Sequence, residues 1–580
     1  MSSLKEIIHA NEAYTASVEK RVSDAKEDKS LQEKLRKEWE KRAAIPNRKL
    51  LTGFEVPLLA LPDMDHPAQI ARFLGEWGMP GEFPYGLSIY PTAFVVTDEG
   101  PRFEEPTRMF AGLGDPKMTN ERFRLVASRQ RSKRLSTAFD TNTLLGRDAD
   151  DPDYLMDIGE GGVSVSTFED VKTLFDGFFQ DPTSISMTIN GPSVWMTAAR
   201  LRAAADSGQK LENIRGTSQT DPCKEDDAQN ELIFPLDKSI KIAMDMFEWC
   251  VRKAPRYYPI NVSGYHIEQK GATPVEQAAF TLANGFVYID EAKKRGISPA
   301  EAAPRLPFFF TSGFDLEYIA LLSAARRIWA VALRDAYGVT EANAQKLKCH
   351  IQTSGRSLYE REILNNITRT ALELFYALLN YPQSLHSNSY DEPITTPTEG
   401  AVQIASDAQA ILLEEAGGFK DMMGFLSDSS GRLTVYRNLI GNVLDLFRQM
   451  EEFGGILEAK AGGFFRDRIA SSSGNYEEQV RTGKRRIIGV SAYAEERKET
   501  QGIARVQIPD ELKKKHAQAV TRFKKNRDPE IVKACLERLR ETASKGGNVF
   551  EVTFDIVPHV TLGEWTYALQ QVYGIFRRRK

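Results

Sequence analysis

The chain has 580 residues, 41% of them hydrophobic and 27% charged, with a formal net charge of -4. That length exceeds one ordinary core, although barrels reach about 250 residues as single domains. The near-neutral balance leaves no electrostatic footprint for nucleic acid, and no apolar run approaches the ~20 residues needed to cross a bilayer.

Residues 1–45 are highly charged and hold no Gly or Pro. Leu4, Ile7, Ile8, Leu31 and Leu35 are spaced loosely as on helices, which predicts a helical arm, either solvated or wrapped around a partner subunit. No apolar stretch followed by a cleavage site opens the chain, so a secretory signal is not expected. Cys223, Cys250, Cys349 and Cys535 are scattered with no CxxC pair. That spacing argues against a zinc site or a disulfide framework and for a reducing, cytoplasmic setting. Residues 46–100 carry Pro46, Pro57, Pro62, Pro67, Pro80 and Pro84 and are expected to form an extended, looping segment.

From about 130 to 390 short apolar, β-branched runs recur at 135–139, 162–166, 184–189, 214–219, 260–265, 306–311, 348–353 and 383–388. Amphipathic helical stretches lie between them, as at 194–205, 274–295 and 316–337. Eight β-then-α units predict an α/β fold of the (β/α)8 (TIM) barrel type, because crossovers are right-handed and such strands are buried on both faces. An open doubly wound sheet is the alternative; no GxGxxG follows a strand to support it. From 400 to 580 the chain reads as helical and more charged, broken by glycine pairs such as Gly417-Gly418 and Gly546-Gly547. The expected division is an N-terminal arm and linker (1–69), a substrate-binding barrel with a preceding segment (70–400), and a helical C-terminal extension (401–580).

Barrel active sites lie at the C-terminal strand ends. There the chain reads Ser263-Gly264-Tyr265-His266, Thr217-Ser218-Gln219, His350-Ile351-Gln352-Thr353 and His386-Ser387-Asn388, with Asp391 and Glu392 just beyond. Three of the seven histidines fall in these runs. There is no GxSxG elbow, no HExxH and no Cys/His cluster, so neither a hydrolase triad nor a protein-bound catalytic zinc is supported. Such ends offer hydrogen-bond donors and amides. They suit a site that orients a polar substrate and leaves the difficult step to a cofactor.

The blocks SGYH, APRLPFFF, HIQTSG and SLHSNSYDE resemble the methylmalonyl-CoA mutase family of adenosylcobalamin enzymes. LSTAFD, GRDADDP, GEGGVSVST, SISMTING, GTSQTD, NNITRTA and TGKRRIIGV extend the resemblance over about residues 70–570. It implies a radical 1,2-rearrangement of an acyl-CoA, with adenosylcobalamin as cofactor. By the same resemblance His266 hydrogen-bonds the thioester carbonyl, Tyr265 packs near the adenosyl group and Gln219 lies close to the substrate. His350 and Gln352 match polar residues that face the corrin, and Asn388 and Glu392 match groups near the adenosyl ribose. Ser136, Ser186, Thr188, Thr217 and Arg305 match positions along the CoA chain, and Tyr90 is assigned to the substrate.

Two positions separate substrates in this family. One lies in the motif Arg108-Met109-Phe110-Ala111-Gly112, where methylmalonyl enzymes carry tyrosine and this chain has Phe110. The other lies ten residues after Gln219, where an arginine normally clamps a carboxylate and this chain has Gln229. A buried carboxylate needs a charge-assisted partner, so Phe110 and Gln229 imply a non-carboxylated branched substrate of the isobutyryl-CoA/n-butyryl-CoA type. The alternatives are 2-hydroxyisobutyryl or pivalyl thioesters, a non-CoA carrier, or a non-catalytic scaffold homologue. The run Phe103-Glu104-Glu105-Pro106-Thr107 departs from the Arg-Pro-Trp-Thr of relatives, and Pro307 replaces a serine beside CoA. No DxHxxG motif occurs, so cobalt is expected to be ligated by a separate small cobalamin-binding subunit in a hetero-oligomer.

Overall fold

A computed structural model describes residues 4–43, 47–59, 66–90, 95–97, 100–102, 109–127, 134–179, 184–229, 231–416, 424, 426–427, 429–494 and 506–577. Its centre is a run of parallel strands that follow one another in space in the order of the chain. We number them β1 Met109–Ala111, β2 Arg134–Ala138, β3 Ser184–Thr188, β4 Gly216–Thr220, β5 Tyr257–Ile260 continued by Val262–Ser263, β6 Phe308–Ser312, β7 Cys349–Thr353 and β8 Ser384–His386. β1 to the first part of β5 form one parallel sheet, and the second part of β5 to β8 form another. The break falls at Asn261, next to a register shift between β4 and β5. Sequential order excludes the doubly wound alternative, in which the order reverses at a switch point. The two ends of the series meet through side chains: the Phe110 ring of β1 lies 4.6 Å from the His386 ring of β8.

Helices follow the strands, as the alternation of patterns predicts: Pro116–Ala127, Ser193–Asp206, Leu236–Lys253, Pro274–Lys294, Leu321–Val331, Asn365–Leu378 and Glu399–Ala410. Their starts are encoded locally. Thr273 accepts from the Glu276 N–H while Glu276 returns a bond to the Thr273 N–H, and Pro274 occupies the first helical position. Such a cap stabilises a helix by about 1 kcal/mol.

One expected strand is absent and one is gained. Residues 162–166 form no ladder; only Val163 makes an isolated bridge, to Phe139. Gly162 packs so tightly on the Phe139 carbonyl that a Cβ there would lie 2.1 Å from it, and Val163 bonds the Ala138 carbonyl and the Asp140 N–H at the end of β2. β2 therefore pairs directly with β3, and the eighth strand is β1, on the other side of β2, three residues long and too short to carry a period.

The N-terminal arm is not a solvated one. Leu4–Glu27 buries Leu4, Ile7, Ile8, Val18 and Val22 in the same core as the helices Leu321–Val331 and Ser430–Glu452. Val18 lies so close to Gly75 of the helix Pro67–Glu76 that a side chain at Gly75 would clash. The C-terminal region is helical as expected, and Val549–Ile556 and Leu562–Tyr573 pack Phe550 and Trp565 into the core around β2 and β3. Among the described residues no helix is long and apolar enough to cross a membrane. All four cysteines are free thiols.

A buried ion pair ties this shell to the site. Lys460 Nζ donates to Asp227 Oδ2 at 2.5 Å, and both side chains are at most 1% exposed. Desolvation pushes the Asp227 carboxyl up to about 6 although Lys460 opposes the rise. Lys460→Ala strands this carboxylate in the core and is expected to destabilise the fold by about 3–5 kcal/mol, read as a lowered thermal midpoint.

Candidate active site

The strands present polar residues to one face and apolar residues to the other. On one face lie Arg134 and Ser136 of β2, Ser184, Ser186 and Thr188 of β3, Thr217 and Gln219 of β4, His350 and Gln352 of β7, and Ser384 and His386 of β8. On the alternate positions lie Leu135, Ile185, Met187, Phe308, Phe310, Ile351 and Leu385, all buried. Strand side chains alternate with period two, so one face packs on the helices and the other is polar. On the polar face, small hydroxylated residues leave room between the strands.

That room is a cavity of about 640 Å³. Tyr90, Phe110, Ser136, Ser186, Thr217, Gln219 and His350 line it, as do Arg134, Arg215, Arg256 and Lys348. The four cations sit at or just before the first residues of β2, β4, β5 and β7, so they cluster at the N-terminal mouth. Lys348 precedes Gln352 by four residues on one strand, a rise of roughly 13 Å. Ser136 Oγ and Gln219 Oε1 are buried and find no hydrogen-bond partner among the described residues. Buried polar atoms are normally paired, so atoms left open along a cavity mark where a polar ligand would lie.

At the opposite, C-terminal end a second group converges. Gln352 Nε2 donates to the Tyr265 hydroxyl at 3.1 Å and to Asn388 Oδ1 at 2.8 Å. The Asn388 amide donates to the Thr353 carbonyl at 2.9 Å, which fixes its orientation. Glu392 accepts from the Ser389 N–H at 2.8 Å, and desolvation pushes its carboxyl up to about 7. Tyr265 begins a short helix, Tyr265–Gln269, and does not end β5. Its ring stacks on Phe309 with centroids 4.9 Å apart and planes 5° from parallel. Phe309 also contacts His266 edge-on at 5.9 Å and His350 at 4.9 Å with the planes tilted by 52°. Phe309 carries no polar signal in the sequence because it sits in an apolar run; its odd position between Phe308 and Phe310, which face the helices, is the available signal.

His266 is half-buried. Desolvation first, and the Lys224 ammonium second, push its imidazole well below the usual range, so it is neutral. Ser263 Oγ lies 2.8 Å from its Nδ1. Gln229 closes a one-turn π-helix, Glu225–Gln229, and is solvent-exposed. Lys224 Nζ, wholly buried, donates to Gln229 Oε1 at 2.5 Å and also to Glu225 Oε1. A cation therefore does stand beside Gln229, but Glu225 already neutralises it. Glu231, next to Glu225, is pushed up to about 7 by desolvation first and by that neighbour second.

The sequence places three histidines together at C-terminal strand ends; the fold separates them. His350 is the second residue of β7, and its Nδ1 lies 2.7 Å from the Ser384 hydroxyl at the start of β8. It lines the cavity on the side of the cations, away from Asn388. His386 packs on Phe110. Thr188 and Arg305 do not line the cavity; the Arg305 guanidinium donates to the Glu301 carbonyl at 2.6 Å. Arg108 and the run Phe103–Thr107 lie outside the described residues.

The sequence profile described as methylmalonyl-CoA mutase matches residues 60–575. A fused isobutyryl-CoA mutase from Nocardia farcinica is 38% identical over 561 residues, covering 92% of this chain and 51% of its own length. A second, from Paraburkholderia xenovorans, is 40% identical over 560 residues, covering 91% and 43%. A 2-hydroxyisobutanoyl-CoA mutase large subunit from Aquincola tertiaricarbonis is 33% identical over 512 residues, covering 87% of this chain and 89% of its own. The chain thus spans about half the length, or less, of the fused relatives and most of the length of the large subunit.

Proposed function

The chain belongs to the methylmalonyl-CoA mutase family, and from that premise we propose that it is the substrate-binding, catalytic part of an adenosylcobalamin-dependent acyl-CoA mutase. The observation that carries this reading is the polar cavity with cations at one mouth and a neutral imidazole beyond the other end. CoA thioesters are long, polyanionic at one end, amide-rich in the middle and reactive at the far end. Arg134, Arg215, Arg256 and Lys348 suit the phosphates, Ser136, Ser186 and Thr217 suit the amide arm, and Gln219 and His266 suit the acyl end. Tyr90 takes a supporting position along that path, and Thr188 and Arg305 stand off it. This arrangement is best accommodated if β8 returns to β1 and closes an eight-stranded barrel, a closure favoured by the Phe110–His386 contact.

His266 donates to the thioester carbonyl, and this stabilises charge that develops on oxygen during migration. Bound adenosylcobalamin supplies the organic radical that starts such a rearrangement. The residues fit that group: Gln352, Asn388 and Glu392 offer the donors and acceptors a ribose requires, and Tyr265 on Phe309 offers an aromatic wall. His350 belongs with the substrate arm rather than with the corrin, given its place beside Ser384.

The acyl group is of the isobutyryl/n-butyryl class, since Gln229 is neutral and Lys224 is already compensated. The cobalt ligand comes from a separate cobalamin-binding polypeptide; the extent of the match to a large subunit supports this. Mixing the chain with such a partner and adenosylcobalamin, then following butyryl-CoA by mass spectrometry, is expected to yield isobutyryl-CoA. If no acyl-CoA in a panel is isomerised by the reconstituted, cobalamin-loaded pair, the reading fails.

A further inference from the structure

His266 is held in a way that decides which of its nitrogens carries the proton. Ser263 is wholly buried, and its hydroxyl lies 2.8 Å from His266 Nδ1. Among the described residues this hydroxyl has no other partner. A buried hydroxyl has one proton to place and pays about 1–3 kcal/mol if it places it nowhere. If Nδ1 carried the imidazole proton and donated to Ser263, the serine proton would have no acceptor. If Ser263 donates to Nδ1, both groups are satisfied, and the single proton of the neutral ring sits on Nε2.

The serine is itself pinned. Its backbone N–H donates to Asp221 Oδ2 at 2.7 Å. Asp221 Oδ1 accepts from the Tyr288 hydroxyl at 2.5 Å and from the Lys224 N–H at 3.1 Å. The Asp221 N–H in turn donates to Asn190 Oδ1 at 2.8 Å. The end of β5 is thereby bolted to the end of β4, and Ser263 cannot follow the ring if it turns. Nε2 has no protein partner among the described residues.

We propose that Ser263 is a positioning residue that fixes His266 as the Nε2–H tautomer, so that the ring presents a hydrogen-bond donor, and not a lone pair, to the acyl thioester. The other tautomer would set a nitrogen lone pair against the carbonyl oxygen and repel it. The kinetic consequence rests on the mutase reading; the tautomer does not.

The test is 15N NMR of the full chain labelled at its seven histidines, with the His266 signals identified by their loss in His266→Gln. The wild-type chain is expected to show a protonated, pyrrole-like Nε2 and an unprotonated, pyridine-like Nδ1 at residue 266. In Ser263→Ala the two signals move toward each other as the tautomers mix. Ser263→Thr, which keeps the hydroxyl, retains the wild-type pattern. In the reconstituted enzyme Ser263→Ala lowers kcat about tenfold while KM stays within about twofold, as expected for lost orientation behind an acting group. A protonated Nδ1 in the wild-type chain, or an unchanged pattern in Ser263→Ala, overturns the proposal. The expected tautomer in a chain that isomerises no acyl-CoA upholds Ser263 and sinks the mutase reading instead.

Discussion

Alanine in place of His266 is expected to lower turnover of the favoured acyl-CoA by about a hundred- to a thousandfold, the effect of removing one aimed donor from a developing oxyanion. The size follows from the environment. The ring is neutral because it is desolvated and because Lys224 is near, so its contribution is a directed N–H bond in a site of low polarity. KM should change little, since the cations at the far mouth lie at the other end of the cavity. The fold should survive, because the short helix is anchored by its neighbours Ile267 and Glu268, both buried, more than by the partly buried imidazole. Circular dichroism and the thermal midpoint check that point. Wild-type turnover in a folded variant would remove His266 from the site.

Methylmalonyl-CoA is expected to react with a kcat/KM at least about a hundredfold below that of isobutyryl-CoA. Gln229 is exposed in the chain alone, so the cost applies once the bound acyl group is enclosed; a buried, unpaired carboxylate then costs about 3–5 kcal/mol, and each 1.4 kcal/mol is about one decade in rate. Lys224 does not rescue it. Its ammonium is shared between Glu225 and Gln229, and moving it to a substrate would strand Glu225, which is itself wholly buried. The pair Phe110→Tyr and Gln229→Arg is expected to narrow the gap by about tenfold or more. Glu231, held near neutrality by burial and by Glu225, would ionise beside the new cation and offset its repulsion from Lys224. Both values of kcat/KM, measured on the reconstituted enzyme, decide the matter; equal values for the wild-type protein would show that Gln229 does not select the substrate.

Local pattern carried much of this molecule. Seven of the eight strands overlap the runs expected from the sequence, and the helix starts are written in pairs such as Thr273 and Glu276. The polar runs around Gln219, His266, Gln352 and Asn388 are legible too, because polar residues next to such strands have no packing reason to be there. Strand β1 was not legible, because three residues hold no period, and the convincing run at 162–166 forms no strand.

Long-range placement decided the rest. Arg134, Arg215, Arg256 and Lys348 look like isolated charges in the chain; strand register alone assembles them at one mouth. The same register parts His350 from Gln352, since residues two apart on a strand share a face but stand roughly 7 Å apart along it. Sequence by itself therefore determined most of the elements, their buried faces and the family. The tertiary structure decided which ends meet, where the cavity runs and that Lys224 beside Gln229 is already neutralised. The reason is physical: side-chain period and capping are set by neighbours within a few residues, whereas charge compensation and cavity shape depend on strands brought together from far along the chain.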